Sequence, residues 1–236
     1  MPFETNVIEI IQRTPDVMSI RFEKPQGFSY RAGQYVIVTL VVTPDNSPDR
    51  MKKPFTLSSS PTEDFLEITK KLTGHPFSNA LAALRPGDKF SINGPFGEFT
   101  FQGECDNVGM LSGGIGITPL RSMIKYSIDK QLGANIILLY SNRDENDIVF
   151  RDELEKVKKE NPNIQVIETI TRPGPDWKGL TGRINADMIK KFIPDYRERI
   201  FFTCGPMKMV ESMISLLKEM EIPGGQIKKE NFPGDF

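Results

Sequence analysis

The chain has 236 residues, of which 38% are hydrophobic and 26% are charged, and its net charge is −1. This composition is typical of a folded globular protein with one large or two modest domains, and it excludes a general electrostatic attraction to nucleic acid or anionic membranes. A single histidine excludes a histidine-rich metal site, and the two cysteines match no metal spacing, so we expect demanding chemistry to come from an organic cofactor.

The first part of the chain, residues 1–103, has the pattern of an antiparallel β-barrel. Its short apolar segments are rich in β-branched and aromatic residues, and turn signals such as Arg31–Gln34 and Arg85–Asp88 separate them. One helix is predicted over Ser78–Leu84. Several short strands at this spacing favour a small closed barrel. The predicted strands are 7–11, 18–22, 35–40, 65–69 and 89–92.

A cation, an aromatic ring and several hydroxyls occur together in Lys53-Pro-Phe-Thr-Leu-Ser-Ser-Ser-Pro61, which we expect at the end of a strand. One interpretation is a flavin nucleotide site, with Lys53 at the pyrophosphate, Phe55 as a stacking surface and Thr56 hydrogen-bonded to the ring. The alternative is an exposed loop rich in serine and threonine.

A second phosphate site is predicted at Gly74-His-Pro-Phe-Ser-Asn79. Ser78 and Asn79 stand where a short helix begins, and the unpaired N–H groups of a helix start can hold an anion. The alternative is that Ser78 is a plain helix cap.

From about residue 104 to residue 236 the pattern changes to strands that alternate with helices. This alternation predicts an α/β domain with a parallel sheet of five or six strands, and ligands bind at the carboxyl ends of such strands. The predicted strands are 108–111, 135–140, 164–168 and 199–203, and the predicted helices are 119–130, 150–160, 185–192 and 206–221.

A glycine-rich segment, Gly113-Gly-Ile-Gly-Ile-Thr-Pro119, lies between the first of these strands and the first helix. A turn of this kind lets the backbone approach a phosphate, towards which the helix directs its N–H groups and the positive end of its dipole. Gly114-x-Gly116 is half of the dinucleotide fingerprint, and Pro119 replaces the third glycine. A plain structural turn is the alternative, but a preceding barrel and a nucleotide-type sheet favour the phosphate site.

Taken together, these motifs resemble the ferredoxin–NADP reductase superfamily over nearly the full length of the chain. The family's flavin signature has the form Arg-x-Tyr-Ser/Thr-x-x-Ser, and here it is Lys53-Pro-Phe-Thr-Leu-Ser-Ser59. Lysine in place of arginine loses the bidentate fork, and phenylalanine in place of tyrosine loses a hydroxyl, so we expect somewhat weaker flavin retention. Further landmarks in the family order are Arg31–Tyr35, Arg85–Asp88, Gly94–Gly97, Gly113–Pro119, Cys204–Met207 and Glu230–Phe232.

The resemblance implies a barrel that binds FAD, rather than FMN, and an α/β domain that binds a nicotinamide nucleotide. It implies that Thr56 lies near the reactive nitrogen of the flavin, that Cys204 and Glu230 approach the nicotinamide, and that Phe232 covers the flavin, with Phe236 as a competing candidate. The implied flavin-binding set is Lys53, Pro54, Phe55, Thr56, Ser58, Thr69, Lys70, Lys71, Gly74, Ser78, Asn79, Phe232 and Phe236. The implied nucleotide-binding set is Gly114, Gly116, Thr118, Pro119, Ser141, Asn142, Arg143, Arg151, Cys204, Gly205, Pro206 and Met207.

Two of these roles have structural alternatives. A buried cysteine such as Cys204 is usually a small hydrophobe, and a phenylalanine near a chain end can simply anchor the terminus. We favour the functional interpretation of Cys204 because Gly205-Pro206 fixes it at a strand end beside a helix start.

The choice of nucleotide depends on the segment after the second parallel strand, Ser141-Asn-Arg143. A serine and an arginine there suit the 2′-phosphate of NADPH, and Arg151 can contribute. The same arginines can instead serve NADH by binding its pyrophosphate, or pair with Asp144 and Asp147. The sequence favours NADPH and leaves NADH open.

The sequence says less about the electron acceptor than about the cofactors. Two cysteines cannot supply the four ligands of a plant-type iron–sulfur cluster, so we expect a reductase module without such a domain, whose electrons leave for a separate partner. Six lysines near the flavin segments suit an acidic ferredoxin or flavodoxin, although lysines there can be merely solubilising. The alternatives are a reductase of free flavins or quinones and an electron-transfer subunit of a larger complex. The six are Lys52, Lys53, Lys70, Lys71, Lys228 and Lys229.

The sequence also predicts where the protein resides. Residues 1–10 carry acidic side chains and lack an apolar core, unlike a secretory signal, and no run approaches the roughly 18 apolar residues of a membrane span. Cys105 and Cys204 lie far apart in the sequence, and two such cysteines suit a reducing compartment. We therefore expect a cytoplasmic protein.

Overall fold

The computed structural model describes residues 2–42 and 49–232. Their contacts divide them into two compact units that meet in the sequence between Gln102 and Gly103, with Arg121–Tyr126 grouped with the first unit. We predicted two domains with a boundary after residue 103. Whether each folds on its own is a separate question from this division by contacts, so the domain boundary stays a prediction.

The first unit is a six-stranded antiparallel barrel. Its strands are β1 (Phe3–Thr14), β2 (Val17–Glu23), β3 (Tyr35–Val42), β4 (Asp49–Thr56), β5 (Phe65–Lys71) and β6 (Lys89–Phe96). They pair in the order β4-β3-β6-β1-β2-β5. A bridge between Leu57 and Ile68 and a 2.8 Å hydrogen bond from the Ser58 N–H to the Glu67 carbonyl join the two outer strands. The predicted barrel is therefore confirmed.

Alternate residues of these strands fill the barrel, as expected for strands with one buried face. Phe22, Val38, Leu66 and Ile92 are each inaccessible to solvent within it. The helix α1 (Pro76–Ala82) adds Phe77 and Leu81 to the same core. This helix is shifted by two residues from the predicted one, because Pro76 occupies a first-turn position.

Strand β4 was not among the predicted strands. Its sequence, Asp49-Arg-Met-Lys-Lys-Pro-Phe-Thr56, lacks an apolar alternation and contains a proline, which is rare in strands. Proline is tolerated here because β4 pairs with β3 along one side, where Pro54 lies opposite Ile37. Lys53–Thr56 therefore lie inside a strand rather than after it.

The second unit is a six-stranded parallel sheet, which confirms the predicted class. Its strands are β7 (Asn107–Gly113), β8 (Asn135–Asn142), β9 (Ile164–Ile170), β10 (Leu180–Thr181), β11 (Ile200–Pro206) and β12 (Ile227–Phe232). They pair in the order β10-β9-β8-β7-β11-β12. The chain moves outward from β7 to β10 and then returns to the other side of β7 as β11. The strand order thus reverses between β7 and β11, which is where such sheets bind ligands.

Four helices connect or follow these strands: α2 (Ile117–Asp129), α3 (Arg151–Glu160), α4 (Ala186–Phe192) and α5 (Met207–Glu219). Helices α4 and α5 pack on one face of the sheet, where Ile189 and Leu217 join Ile137, Leu139 and Phe201 in a common core. Within the described part of the chain, none of the helices has the length and apolar character that a bilayer crossing requires.

The amino ends of the parallel strands are joined by Arg199, whose side chain is 4% exposed. Its guanidinium donates to the carbonyls of Val108 and Asn135, at 3.0 Å each, and to both carboxylate oxygens of Asp195. A charged group can be buried here because hydrogen bonds and an opposite charge surround it.

Candidate active site

The glycine turn lies at the reversal point, at the edge formed by the carboxyl ends of the parallel strands, hereafter the carboxyl edge. Gly113 ends β7, Gly114–Gly116 form one 3-10 turn, and α2 starts directly afterwards. The first turn of α2 contains no acidic residue, so nothing there opposes an anion at its N-terminus. The hydroxyl of Thr118 donates to the Ile115 carbonyl at 3.2 Å.

The turn is packed directly on the end of β11. A Cβ atom at Gly116 would collide with the carbonyl oxygen of Cys204 and with the Cα of Gly205. Ser112 adds a hydrogen bond of 3.1 Å to the same carbonyl. Gly116 therefore serves close packing between the turn and the strand that carries Cys204.

Cys204 and Glu230 are neighbours across β11 and β12 at the carboxyl edge. Burial raises the pKa of the Cys204 thiol well above its usual range, and the Glu230 charge adds to this, so the thiol stays protonated. Burial also raises the pKa of Glu230 to about 7. Among the described residues, neither Glu230 Oε2 nor the hydroxyl of the adjacent Thr203 has a hydrogen-bond partner.

The remaining predicted residues of this strand end differ in exposure. Pro206 and Met207 are exposed, the latter by 48%, whereas Gly205 is buried with a φ of 152°. Phe232 ends β12 and is half-buried. Phe236 lies outside the described residues.

The end of β8 contributes the residues predicted to choose the nucleotide. Arg143 is exposed, and Asn142 is 4% exposed with neither side-chain amide atom paired among the described residues. Arg151 is also exposed and lies 4.0 Å from Glu145, a weak contact. Asp144, a predicted alternative partner for these arginines, accepts from the N–H of Asn146 and caps a turn.

In the barrel, the predicted flavin residues begin in β4. Phe55 is 9% exposed and stacks on Phe77 with ring centroids 5.8 Å apart, so it belongs to the core in this structure. Thr56 is 8% exposed, and no side-chain hydrogen bond between described residues engages its hydroxyl. Pro54 is exposed and Lys53 is half-buried. The exposed-loop alternative does not describe this segment, because Phe55 to Ser60 are all buried.

The hydroxyls of Ser58 and Thr69 belong to a buried network that the sequence did not indicate. Ser58 Oγ lies 2.8 Å from Thr69 Oγ1 and donates to Glu67 Oε1 at 3.0 Å. Glu67 is inaccessible to solvent, and its other carboxylate oxygen accepts from Arg13 and Arg21, at 2.9 Å each. This network fixes Ser58 and Thr69 from within the barrel.

The other predicted flavin residues lie after β5 and at the start of α1. Lys71 forms an ion pair with Asp16 at 2.7 Å, and Lys70 is half-buried. Ser78 Oγ accepts from the N–H of Thr73 at 3.0 Å, and Asn79 donates to the carbonyl of Gly74 at 2.9 Å. Ser78 and Asn79 thus use their side chains to shape the loop before the helix.

Comparisons with known proteins agree with this geometry. An oxidoreductase FAD-binding domain model matches residues 4–101, and an oxidoreductase NAD-binding domain model matches residues 110–214. Ferredoxin–NADP reductase B of Sorangium cellulosum is 30% identical over 234 residues, which cover 93% of this chain and 91% of that protein. The chain belongs to the ferredoxin–NADP reductase family.

Other members of the family serve different partners by name. The reductase subunit of glycine betaine monooxygenase from Chromohalobacter salexigens is 31% identical over 95% of this chain, which spans 62% of that protein's length. The cytochrome b5 reductase domain of Ulva prolifera nitrate reductase superposes with a TM-score of 0.84 at 25% identity, over 98% of this chain and 97% of that domain. The family thus defines the cofactors, FAD and a nicotinamide nucleotide, without defining the acceptor.

The residues of this reductase fit both cofactors, FAD and a nicotinamide nucleotide. The buried Thr56 hydroxyl suits the polar edge of a flavin, since a buried hydroxyl gains from a hydrogen bond. The turn at Gly114–Gly116 and the unpaired Glu230 oxygen provide donors and a polar contact for a nucleotide.

One cavity of the parallel-sheet unit is lined by neither Glu230 nor the glycine turn. It has a volume of about 880 Å³ beside β9 and is bordered by α3 and by the segment around Trp177. Glu168, in its wall, has a raised pKa because of burial and the nearby Glu155. Of the predicted site residues, Arg151 lines this cavity.

Proposed function

We propose that this protein accepts a hydride from NADPH or NADH onto bound FAD and passes the electrons to a separate carrier protein. The observation that carries the proposal is the Cys204–Glu230 pair, which stands beside the glycine turn at the reversal point of a parallel sheet. The presence of Cys204, Glu230 and the glycine turn together supports an enzyme that turns over rather than a nucleotide sensor.

The chain's own residues bind and orient the reactants. The N–H groups of the turn Gly114–Gly116 hold the phosphates of the nucleotide. Cys204, neutral and buried, provides a small dry surface for the nicotinamide, and Glu230 provides a polar group beside it. Thr56 and Lys53 bind the flavin at its ring edge and its phosphates. FAD, when bound, supplies the electron-accepting chemistry that no side chain has.

Glu230 holds a proton below about pH 7, because burial disfavours its ionised form. A protonated carboxyl next to the thiol leaves the nicotinamide surroundings uncharged. We propose that this neutrality favours the entry of the nicotinamide ring, because covering a neutral carboxyl costs less hydration free energy than covering an ionised one.

NADPH is the proposed preferred donor, with NADH as the alternative. Arg143 and Arg151 are both exposed near the end of β8 and suit a 2′-phosphate. The alternative is supported by Glu145 and Glu168, acidic groups near Arg151 that would repel a second phosphate.

The deciding experiment is an anaerobic titration of the purified protein. We expect a flavin absorption spectrum that bleaches on addition of NADPH or NADH, with the preferred nucleotide acting at lower concentration. A colourless protein that takes up no added FAD would refute the proposal. Bleaching by neither nucleotide would refute it as well.

For the acceptor we propose an acidic carrier such as a ferredoxin or flavodoxin. Basic side chains of the barrel, Lys52 and Lys53 on β4 and Lys70 on β5, support this proposal. Turnover with an acidic ferredoxin should fall steeply as salt rises from low ionic strength, since screening weakens exposed charge pairs. A rate independent of salt would refute this partner class.

A second candidate function is that of an electron-transfer subunit or a reductase of small acceptors. It is favoured by the similarity to a monooxygenase reductase subunit, of which the chain spans 62%. If the protein reduces small acceptors, free flavin or ferricyanide should be reduced faster than any tested ferredoxin, with no salt dependence.

A further inference from the structure

The three glycines of the phosphate turn are held in different ways. A Cβ at Gly116 would collide with the backbone of Cys204, so packing against β11 fixes that position. A Cβ at Gly113 would meet Met209 Sδ at 2.5 Å, the end of a flexible side chain that can move aside. Gly114 has a φ of 53°, and no atom lies within 4 Å of the place where its Cβ would be, so no such close approach fixes the middle of the turn.

Tyr140, near the end of β8, contacts the middle of the turn. Its side chain is inaccessible to solvent, and its hydroxyl donates to the carbonyl oxygen of Gly114 at 2.8 Å. The same oxygen accepts the N–H of Ile117, which closes the 3-10 turn. A carbonyl with two lone pairs can accept both bonds. Burial raises the pKa of Tyr140 far above its usual range, so the hydroxyl remains a donor at every working pH.

We propose that Tyr140 is a positioning residue for nucleotide binding, whose hydroxyl holds the Gly114 carbonyl and so keeps the N–H groups of the turn directed at the phosphates. The inference rests on the proposed function, because it concerns the same nucleotide site. Tyr140 touches neither reacting group, so it acts on binding and not on hydride transfer.

The test is Tyr140→Phe, which removes the hydroxyl and keeps the ring volume. Loss of one neutral hydrogen bond predicts that KM for NADPH or NADH rises about fivefold, with kcat within about twofold. Calorimetric titration with the oxidised nucleotides should show the same weakening of Kd. The rate of flavin reduction by 1-benzyl-1,4-dihydronicotinamide, a hydride donor without phosphate, should not change.

Two further variants make the result specific. Tyr196→Phe removes a hydroxyl from the same unit, one that accepts from Arg197, and should leave KM unchanged. Gly114→Ala puts a Cβ into open space at a left-handed φ, strains the turn directly and should raise KM as Tyr140→Phe does. This variant tests the same turn if Tyr140→Phe does not fold.

The outcomes separate the two proposals. An unchanged KM and Kd in Tyr140→Phe, or an equal loss of rate with the phosphate-free donor, overturns the positioning role while the proposed function stands. If the phosphate-free donor bleaches the flavin of the wild-type protein but neither NADPH nor NADH does, the proposed function is refuted, and the positioning role is refuted with it.

Discussion

Glu230→Gln tests the electrostatics of the candidate site. The carboxyl has a pKa of about 7 in the folded protein, raised by burial, against an ordinary value of 4.5. Between pH 4.5 and 7 the folded state keeps a proton that the unfolded state has released. The free energy of unfolding of the wild type therefore falls as pH rises through this window, and the loss persists above pH 7.

The magnitude follows from the two pKa values. One pKa unit corresponds to about 1.36 kcal/mol, so the difference between 4.5 and about 7 makes ionised Glu230 cost about 3 kcal/mol of stability at pH 8.5. Glutamine is neutral at every pH. We therefore expect the variant to match the wild type near pH 4.5 and to exceed its stability by about 3 kcal/mol at pH 8.5.

Trp177, the single tryptophan of the chain, lies in the same unit as Glu230 and provides the assay. Urea unfolding followed by its fluorescence gives the free energy of unfolding of both proteins at pH 4.5 and 8.5. Subtracting the free energies of unfolding of the two proteins at each pH cancels the contribution of every other titrating group. Glu211→Gln, on the exposed side of α5, is the matched control and should give no pH-dependent difference. A difference between wild type and Glu230→Gln that changes by less than about 1 kcal/mol across this range would refute the argument.

Three further predictions concern the scaffold. Arg199→Met removes the hydrogen-bond donor of two buried carbonyls, so the free energy of unfolding of the parallel-sheet unit should fall by about 3 kcal/mol, as followed by Trp177 fluorescence. Arg199→Lys should lose less. A loss below about 1 kcal/mol in Arg199→Met would contradict this expectation. Glu67→Gln removes the buried carboxylate that Arg13 and Arg21 share, so the free energy of unfolding, followed by flavin release in urea, should fall by about 2 kcal/mol, whereas Glu9→Gln, at an exposed contact, should have almost no effect. Gly116→Ala forces the turn off the β11 backbone and should weaken nucleotide binding at least tenfold in calorimetry without loss of flavin; unchanged affinity would show that the turn tolerates the shift.

The architecture was predictable because both halves of the chain have clear periodicity. Short β-branched segments predicted the barrel, and the alternation of strands and helices predicted the parallel sheet and its ligand-binding edge. Strands β4, β10 and β12 were not predicted. Strand β10 has only two residues, and the segments Lys52-Lys-Pro54 and Lys228-Lys-Glu230 of β4 and β12 look like loops in isolation. These segments become strands because a neighbour, β3 or β11, satisfies their backbone.

The candidate site was predictable in outline through its motif residues, and its supporting contacts were not. Tyr140 looks like an ordinary core residue at the end of an apolar strand, and only the folded chain brings it to Gly114. Glu67 has apolar neighbours on both sides in β5, which is a signal for a buried charge, but its partners Arg13 and Arg21 come from other strands. Such pairings depend on strand register, which a single sequence does not display.

The packing of Gly116 on the end of β11 divides the proposed nucleotide site into a part that does not tolerate substitution and a part that does. The turn and Cys204 share one backbone contact, so any residue with a side chain at position 116 displaces both. Arg143 and Arg151 are exposed side chains. An engineer who wishes to exchange one nicotinamide donor for the other should therefore vary the surface loop between β8 and α3 and leave the glycines untouched.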